Sequence, residues 1–100
     1  MDELTWLQNW FAAQCDGDWE HSSGVRIDTL DNPGWRLVVD LEETELEDRP
    51  FSEVRVERSG HDWIVCRRRE NQFDAACGPH NLVEVLAVFR AWASSQPRAS

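Results

Sequence analysis

Val25-Arg26-Ile27-Asp28-Thr29-Leu30-Asp31-Asn32-Pro33-Gly34-Trp35-Arg36-Leu37-Val38-Val39-Asp40-Leu41 reads as a β-hairpin. Trp35, Leu37, Val39 and Leu41 alternate with Arg36, Val38 and Asp40, the period of a half-buried strand. Before the turn, Val25, Ile27 and Thr29 point one way, Arg26 and Asp28 the other. Proline presets φ in a turn, and a following glycine permits the positive φ of a type II turn. Two strands so joined pair antiparallel.

Two further strands are expected downstream. Residues 52–58 place Val54 and Val56 inward and Glu53, Arg55 and Glu57 outward. After the turn Ser59-Gly60-His61-Asp62, residues 63–67 carry Trp63 and Val65 on one face and Ile64 and Cys66 on the other. Residues 42–50 between the hairpins form an acidic loop with Leu46 tucked in, and residues 72–80 are expected to be a connector.

Helices flank these strands. Residues 2–15 place Leu4, Leu7, Trp10, Phe11 and Cys15 on one side, with Trp6 at the margin and Asp2 as the cap. The last helix starts at Asn81, with Glu84 completing a capping box, and buries Leu82, Val85, Leu86, Phe89, Trp92 and Ala93. The expected fold is α+β: a four-stranded antiparallel sheet with the N- and C-terminal helices packed on one face, in two layers. One domain covers residues 1–95, and 96–100 form a frayed tail. The sheet's other face then carries Arg26, Asp28, Arg36, Asp40, Glu53, Arg55 and Glu57 around Val38, Ile64 and Cys66. It reads either as a solvated face or as an interaction surface.

Composition narrows the function. The chain holds 19 acidic and 10 basic residues, a net charge of −9. A phosphate-backbone binder needs a basic footprint, so nucleic acid is not the expected partner, even at Arg67-Arg68-Arg69. No apolar run reaches membrane-spanning length, and the N-terminus lacks a signal-peptide pattern. Cys15, Cys66 and Cys77 form no CxxC pair. The expected place is a reducing cytoplasm with free thiols.

Cys15-Asp16-Gly17-Asp18-Trp19-Glu20-His21 concentrates the chemistry. Counted as a calcium loop from Asp16, it needs glycine at position six and glutamate at position twelve, and His21 and Ile27 stand there. A zinc site using Cys15 and His21 lacks a recognisable ligand spacing, so no metal or other cofactor is expected. Paired carboxylates with a histidine can do acid–base chemistry, but no nucleophile motif or phosphate loop accompanies them, and no enzyme is expected. The competing readings are a small metal-binding or hydrolytic domain using Asp16, Asp18, Glu20 and His21, and a purely structural loop. The favoured one is an acidic recognition surface in which charge steers and the indole anchors. Its expected contacts are Asp16, Asp18, Trp19, Glu20 and His21, with Asp28, Asp31, Asn32 and Asp40 as a second tier.

The stretches 7–11, 14–21, 24–25, 27–35, 62–66 and 81–82 together resemble the immunity protein 53 family of bacterial polymorphic-toxin systems. The likeness runs from about Leu7 to Trp92, with Phe73-Asp-Ala-Ala-Cys77-Gly-Pro79 less glycine-rich than that pattern. The resemblance implies a non-catalytic cytoplasmic protein that binds and neutralises a cognate toxin. The acidic charge adds that this toxin is basic, as a nuclease is. Nothing in the sequence fixes the oligomeric state.

Overall fold

The computed structural model describes residues 1–95; the tail at 96–100 lies outside the described residues. The element order is α1 (Glu3–Gln14), α2 (Trp19–Ser22), β1 (Val25–Leu30), β2 (Gly34–Asp40), β3 (Val54–Ser59), β4 (Asp62–Arg69), β5 (Gln72–Cys77) and α3 (Leu82–Ser94). The strands form one antiparallel sheet in the order β1-β2-β5-β4-β3. Five strands replace the expected four, because the connector at 72–77 is itself a strand and takes the centre of the sheet. Phe73 is its one strong strand former, and Phe73, Ala75 and Cys77 alternate inward. Small residues at the centre let a helix approach the sheet closely.

Cross-strand register fixes the faces. Val54 opposes Cys66, Val56 opposes Ile64, and Cys66 opposes Ala75. Ile64 and Cys66 therefore point into the core, at 2 % and 0 % exposure, and Trp63 and Val65 face the open side. The sequence reading had Ile64 and Cys66 on the open face. Both alternate sets of that strand are apolar, so periodicity alone could not choose between them.

Helices α1 and α3 pack on each other, and α3 lies on β4 and β5. They share one core, in which Leu7 and Trp10 meet Leu37, Val39, Leu41, Phe73, Val85, Leu86 and Phe89. The α1 stripe is narrower than its sequence implies. Leu4 and Phe11 stay exposed, and Cys15 is only half buried at the helix end, its thiol donating to the Phe11 carbonyl (3.4 Å). Burial pushes the Cys66 thiol up to about 12, so it behaves as a small apolar group. None of the helices is long and apolar enough to cross a membrane, among the described residues.

Asp2 caps α1 as expected, accepting from the Thr5 N–H (2.7 Å). Asn81 does not form the expected capping box. Its side-chain oxygen accepts from the Trp63 N–H (3.3 Å), and its amide donates to Asp62 (2.9 Å) and Glu84 (3.1 Å). Arg58 joins this group through Asp62 Oδ1 (2.9 Å) and Glu84 Oε1 (2.5 Å). The cluster ties the β3–β4 hairpin to the start of α3. Gly34 is needed for close approach and not for positive φ: a Cβ there would run into the Cys77 carbonyl.

The long loop at 41–53 is held from two sides. Leu46 is fully buried. Arg68 donates through Nη1 to the carbonyls of Leu46 (2.8 Å) and Arg49 (2.7 Å), and through Nη2 to the carbonyl of Glu47. Arg68 is thus a structural clamp, whereas Arg67 and Arg69 belong to the open face.

Two predictions come from these clamps. Arg68→Met strands three loop carbonyls and should cost about 2–4 kcal/mol in urea unfolding. Arg68→Lys should recover less than half of that, since an ammonium cannot reproduce the planar fork; full recovery would contradict the clamp. The second concerns pH. Arg58 and then Asn81 hold the Asp62 and Glu84 carboxyls below the usual range. Their stabilising contribution is present above the unfolded carboxylate pKa, about 4, and is lost as pH falls through the lower folded values. The Asp62→Asn, Glu84→Gln double variant should melt lower than the parent at neutral pH and lose less on acidification below that point. Parallel melting-temperature profiles would contradict it.

Candidate partner-binding site

The chemistry-rich loop folds mostly onto itself. Gly17 takes φ +96°, the left-handed region open to glycine. Asp16 Oδ1 accepts from the N–H groups of Asp18 (2.9 Å) and Trp19 (3.0 Å), which opens α2. Glu20 reaches back to the N–H groups of Asp16 (3.0 Å) and Gly17 (3.0 Å). These bonds keep both carboxyls below their ordinary range: the Trp19 and Asp18 N–H groups act on Asp16, and Glu20's own N–H with those of Asp16 and Gly17 acts on Glu20.

Trp19 is 3 % exposed, and its indole N–H donates to the Glu42 carbonyl (2.9 Å). It stacks edge-on against Trp10 at 6.3 Å. The indole therefore anchors the loop to the core and offers no surface to a partner. Asp40 is similarly occupied, accepting from the Gly24 N–H (2.9 Å) and the Gln72 amide (2.9 Å), with Arg26 at 3.7 Å. Asp18 and His21 remain exposed.

The second tier is scattered. Asp28 lies on the open sheet face, opposite Arg36 in the register. Asp31 and Asn32 lie at the far end of the hairpin from Asp40, roughly 20 Å away along the seven-residue β2. Only Asp40 joins the neighbourhood of the Asp16–His21 loop.

What gathers there instead is a set of carboxylates from three connections. An open trough is lined by Asp18, Trp19, Ser22, Ser23, Glu42 and Glu43. A second shares Ser22, Ser23 and Glu42 and continues past Asp40 to Glu70, Asn71 and Gln72. A third shares Glu70 and Gln72 and reaches the open sheet face at Arg36, Arg69 and Asp74. The troughs thus connect along one end of the sheet. Their first two parts hold Asp18, Asp40, Glu42, Glu43 and Glu70. Their third part is different: Asp74, nearly buried, accepts both Arg36 Nε and Nη2 at 3.2 Å, with Arg69 at 3.7 Å. That pairing raises the Arg36 guanidinium further above its ordinary value.

Glu42, Glu43, Glu70 and Arg36 were not among the site residues read from the sequence. Glu43 (φ 62°) and Glu70 (φ 53°) carry a signal that only the backbone reveals. Both hold the left-handed conformation that non-glycine residues rarely adopt, and both line the trough.

The arrangement offers negative charge along one connected surface. Among the described residues, no three histidine, cysteine, aspartate or glutamate side chains are grouped so as to hold a metal ion. Searches of curated proteins and of solved structures returned no match. The model of the family described as immunity protein 53 matches residues 4–94, which takes in α1 but for its first residue, all of α3, the whole sheet and every residue of the trough. The chain belongs to the immunity protein 53 family.

Proposed function

We propose that the protein neutralises a cognate toxin in the cytoplasm by binding it, and that the trough from Asp18 past Glu42, Glu43 and Glu70 is where a basic surface of that toxin docks. Family membership supports the immunity role. The observation that carries the location is the convergence of carboxylates from α2, the β2–β3 loop and the β4–β5 turn on one connected surface. Such a surface steers a cationic partner and discriminates against anionic ones. A nuclease fits this reading, since a cleft built for phosphates is basic.

Asp16, Trp19, Glu20 and Asp40 take a different part in it from the one their types suggest. They fix the trough's walls, and Asp18, His21, Glu42, Glu43 and Glu70 meet the partner. Blocking requires only that the bound protein cover the toxin's working surface, so no catalytic step is invoked.

The test uses the protein encoded beside this gene, titrated calorimetrically at low and at moderate salt. The Glu42→Gln, Glu43→Gln, Glu70→Gln triple variant should bind it about tenfold or more weakly and lose much of the salt dependence, with an unchanged melting temperature. Unchanged affinity with the triple variant would move the docking surface elsewhere on the protein. No binding at all by the parent protein would remove the immunity reading for that neighbour. Separately, Glu43→Gly and Glu70→Gly should each stabilise the free protein by about 1 kcal/mol, because glycine relieves the left-handed backbone. Denaturant midpoints measure this.

A further inference from the structure

Strand β1 is one edge of the sheet, and its outer side is unpaired among the described residues. An antiparallel ladder turns the N–H and C=O of alternate residues to opposite sides. The Asp40 N–H donates to the Gly24 carbonyl (3.0 Å), which faces Gly24, Arg26, Asp28 and Leu30 towards β2. Val25, Ile27 and Thr29 therefore present their backbone donors and acceptors outward.

The two edges are guarded unequally. β3 carries a register shift between Glu57 and Ser59, and Arg55 pairs along it with Glu53 (3.5 Å) and Glu57 (3.7 Å). Bulges and charge of that kind discourage edge pairing. β1 keeps an unbroken register from Val25 to Leu30, and its two charges, Arg26 and Asp28, are of opposite sign. Its Ile27 side chain is 37 % exposed.

We infer that β1 pairs antiparallel with β1 of a second copy of this chain, about a two-fold axis through Ile27. Register selects this axis. Outward residues must oppose outward residues, so the axis passes through a residue of the strand. Centring on Arg26 or on Asp28 sets like charges directly against each other. Centring on Val25 or Thr29 shortens the overlap and gives Arg26 and Asp28 no opposite charge. Centring on Ile27 places Arg26 against Asp28 of the other copy, twice by symmetry. It also sets Ile27 on Ile27 and Val25 on Thr29 over the helix-covered face. The segment is thus self-complementary in charge, in apolar pairing and in hydrogen-bond direction, as an isologous contact requires.

The product is a continuous ten-stranded sheet. Two short edges bury less than the roughly 1,200–2,000 Å² of a stable interface, so the dimer is weak and concentration-dependent. This inference does not depend on the toxin reading.

Sedimentation of the full chain from micromolar to millimolar concentration tests it, with hydrogen exchange on the same samples. The parent protein should show a reversible monomer–dimer equilibrium, and the Val25, Ile27 and Thr29 amides should gain protection with concentration. Arg26→Asp and Asp28→Arg should each weaken the dimer on the order of tenfold. A one-to-one mixture of those two variants again opposes unlike charges and should recover association. Ile27→Pro removes an outward N–H and no bond to β2, so it should abolish the dimer and keep the melting transition. A parent protein that stays monomeric throughout, or dimerises without protecting these amides, overturns the inference. So does a variant mixture no tighter than its components. A monomer whose β1 amides become protected only with toxin present would give the edge to the toxin, and would also overturn self-pairing.

Discussion

The burial of Phe73 is the contact on which the rest of this structure closes. Its ring is fully buried and lies 5.3 Å from Phe51, 5.0 Å from Phe89 and 6.0 Å from Trp92. Those partners come from the end of the long loop and from the last helix. The strand that carries Phe73 is hydrogen-bonded on both sides, to β2 and to β4. The N-terminal hairpin and the second hairpin have no other strand in common. Without β5 the chain would be two separate hairpins, and a lone two-stranded hairpin is marginal in water. Phe73 is where sheet closure and helix docking become one event, because the residue that completes the ladder also supplies the surface for α3.

Tryptophan extends that core outward to the loops. Four of the six indoles end on a polar group of a connecting segment: Trp10 on Glu45 (2.7 Å), Trp19 on the Glu42 carbonyl (2.9 Å), Trp35 on the Pro79 carbonyl (3.0 Å) and Trp92 on the Pro50 carbonyl (3.0 Å). Each buries a large apolar body and also satisfies a polar group that would otherwise need water. A domain of 100 residues has little core to share among long loops. The indoles solve this by making the loops part of the core. Arg68 does the same with charge, from the strand beside β5.

Much of the fold was legible because its signals were local. The turn before Gly34, the alternation from Trp35 to Leu41 and the two helices lie within short windows, and each formed, although Gly34 does not take positive φ and the α1 stripe leaves Leu4 and Phe11 exposed. The signals that failed were relational. Phe73-Asp74-Ala75-Ala76-Cys77 looks weak as a strand because its stability comes from neighbours on both sides, which propensity cannot see. Ile64 and Cys66 could be placed only by knowing which residues oppose them. At the site, the carboxylates of the Asp16–Glu20 loop were visible as types, but not their engagement with nearby N–H groups. Glu42 and Glu43 are neighbours but lie far from Glu70 in sequence, and only the approach of the β2–β3 loop to the β4–β5 turn brings the three to one surface.

The placement of those glutamates bears on why the surface is built as it is. A turn at the start of the long loop and the tight β4–β5 turn each put glutamate where the backbone favours glycine or asparagine. Local stability would be better served by either substitute, so the side chain is retained against a conformational cost. Neither carboxylate repays it through an ion pair among the described residues. The positions also differ in kind from Asp16 and Glu20, whose oxygens are occupied by backbone donors. A carboxylate held on a strained, well-fixed turn is less free to retreat from an approaching charge than one on a long mobile segment. Less ordering entropy is then lost when a partner docks. In the proposed docking, strain in the free protein and preorganisation for the partner have the same structural origin, which would give the strained turns a physical reason to sit beside the trough.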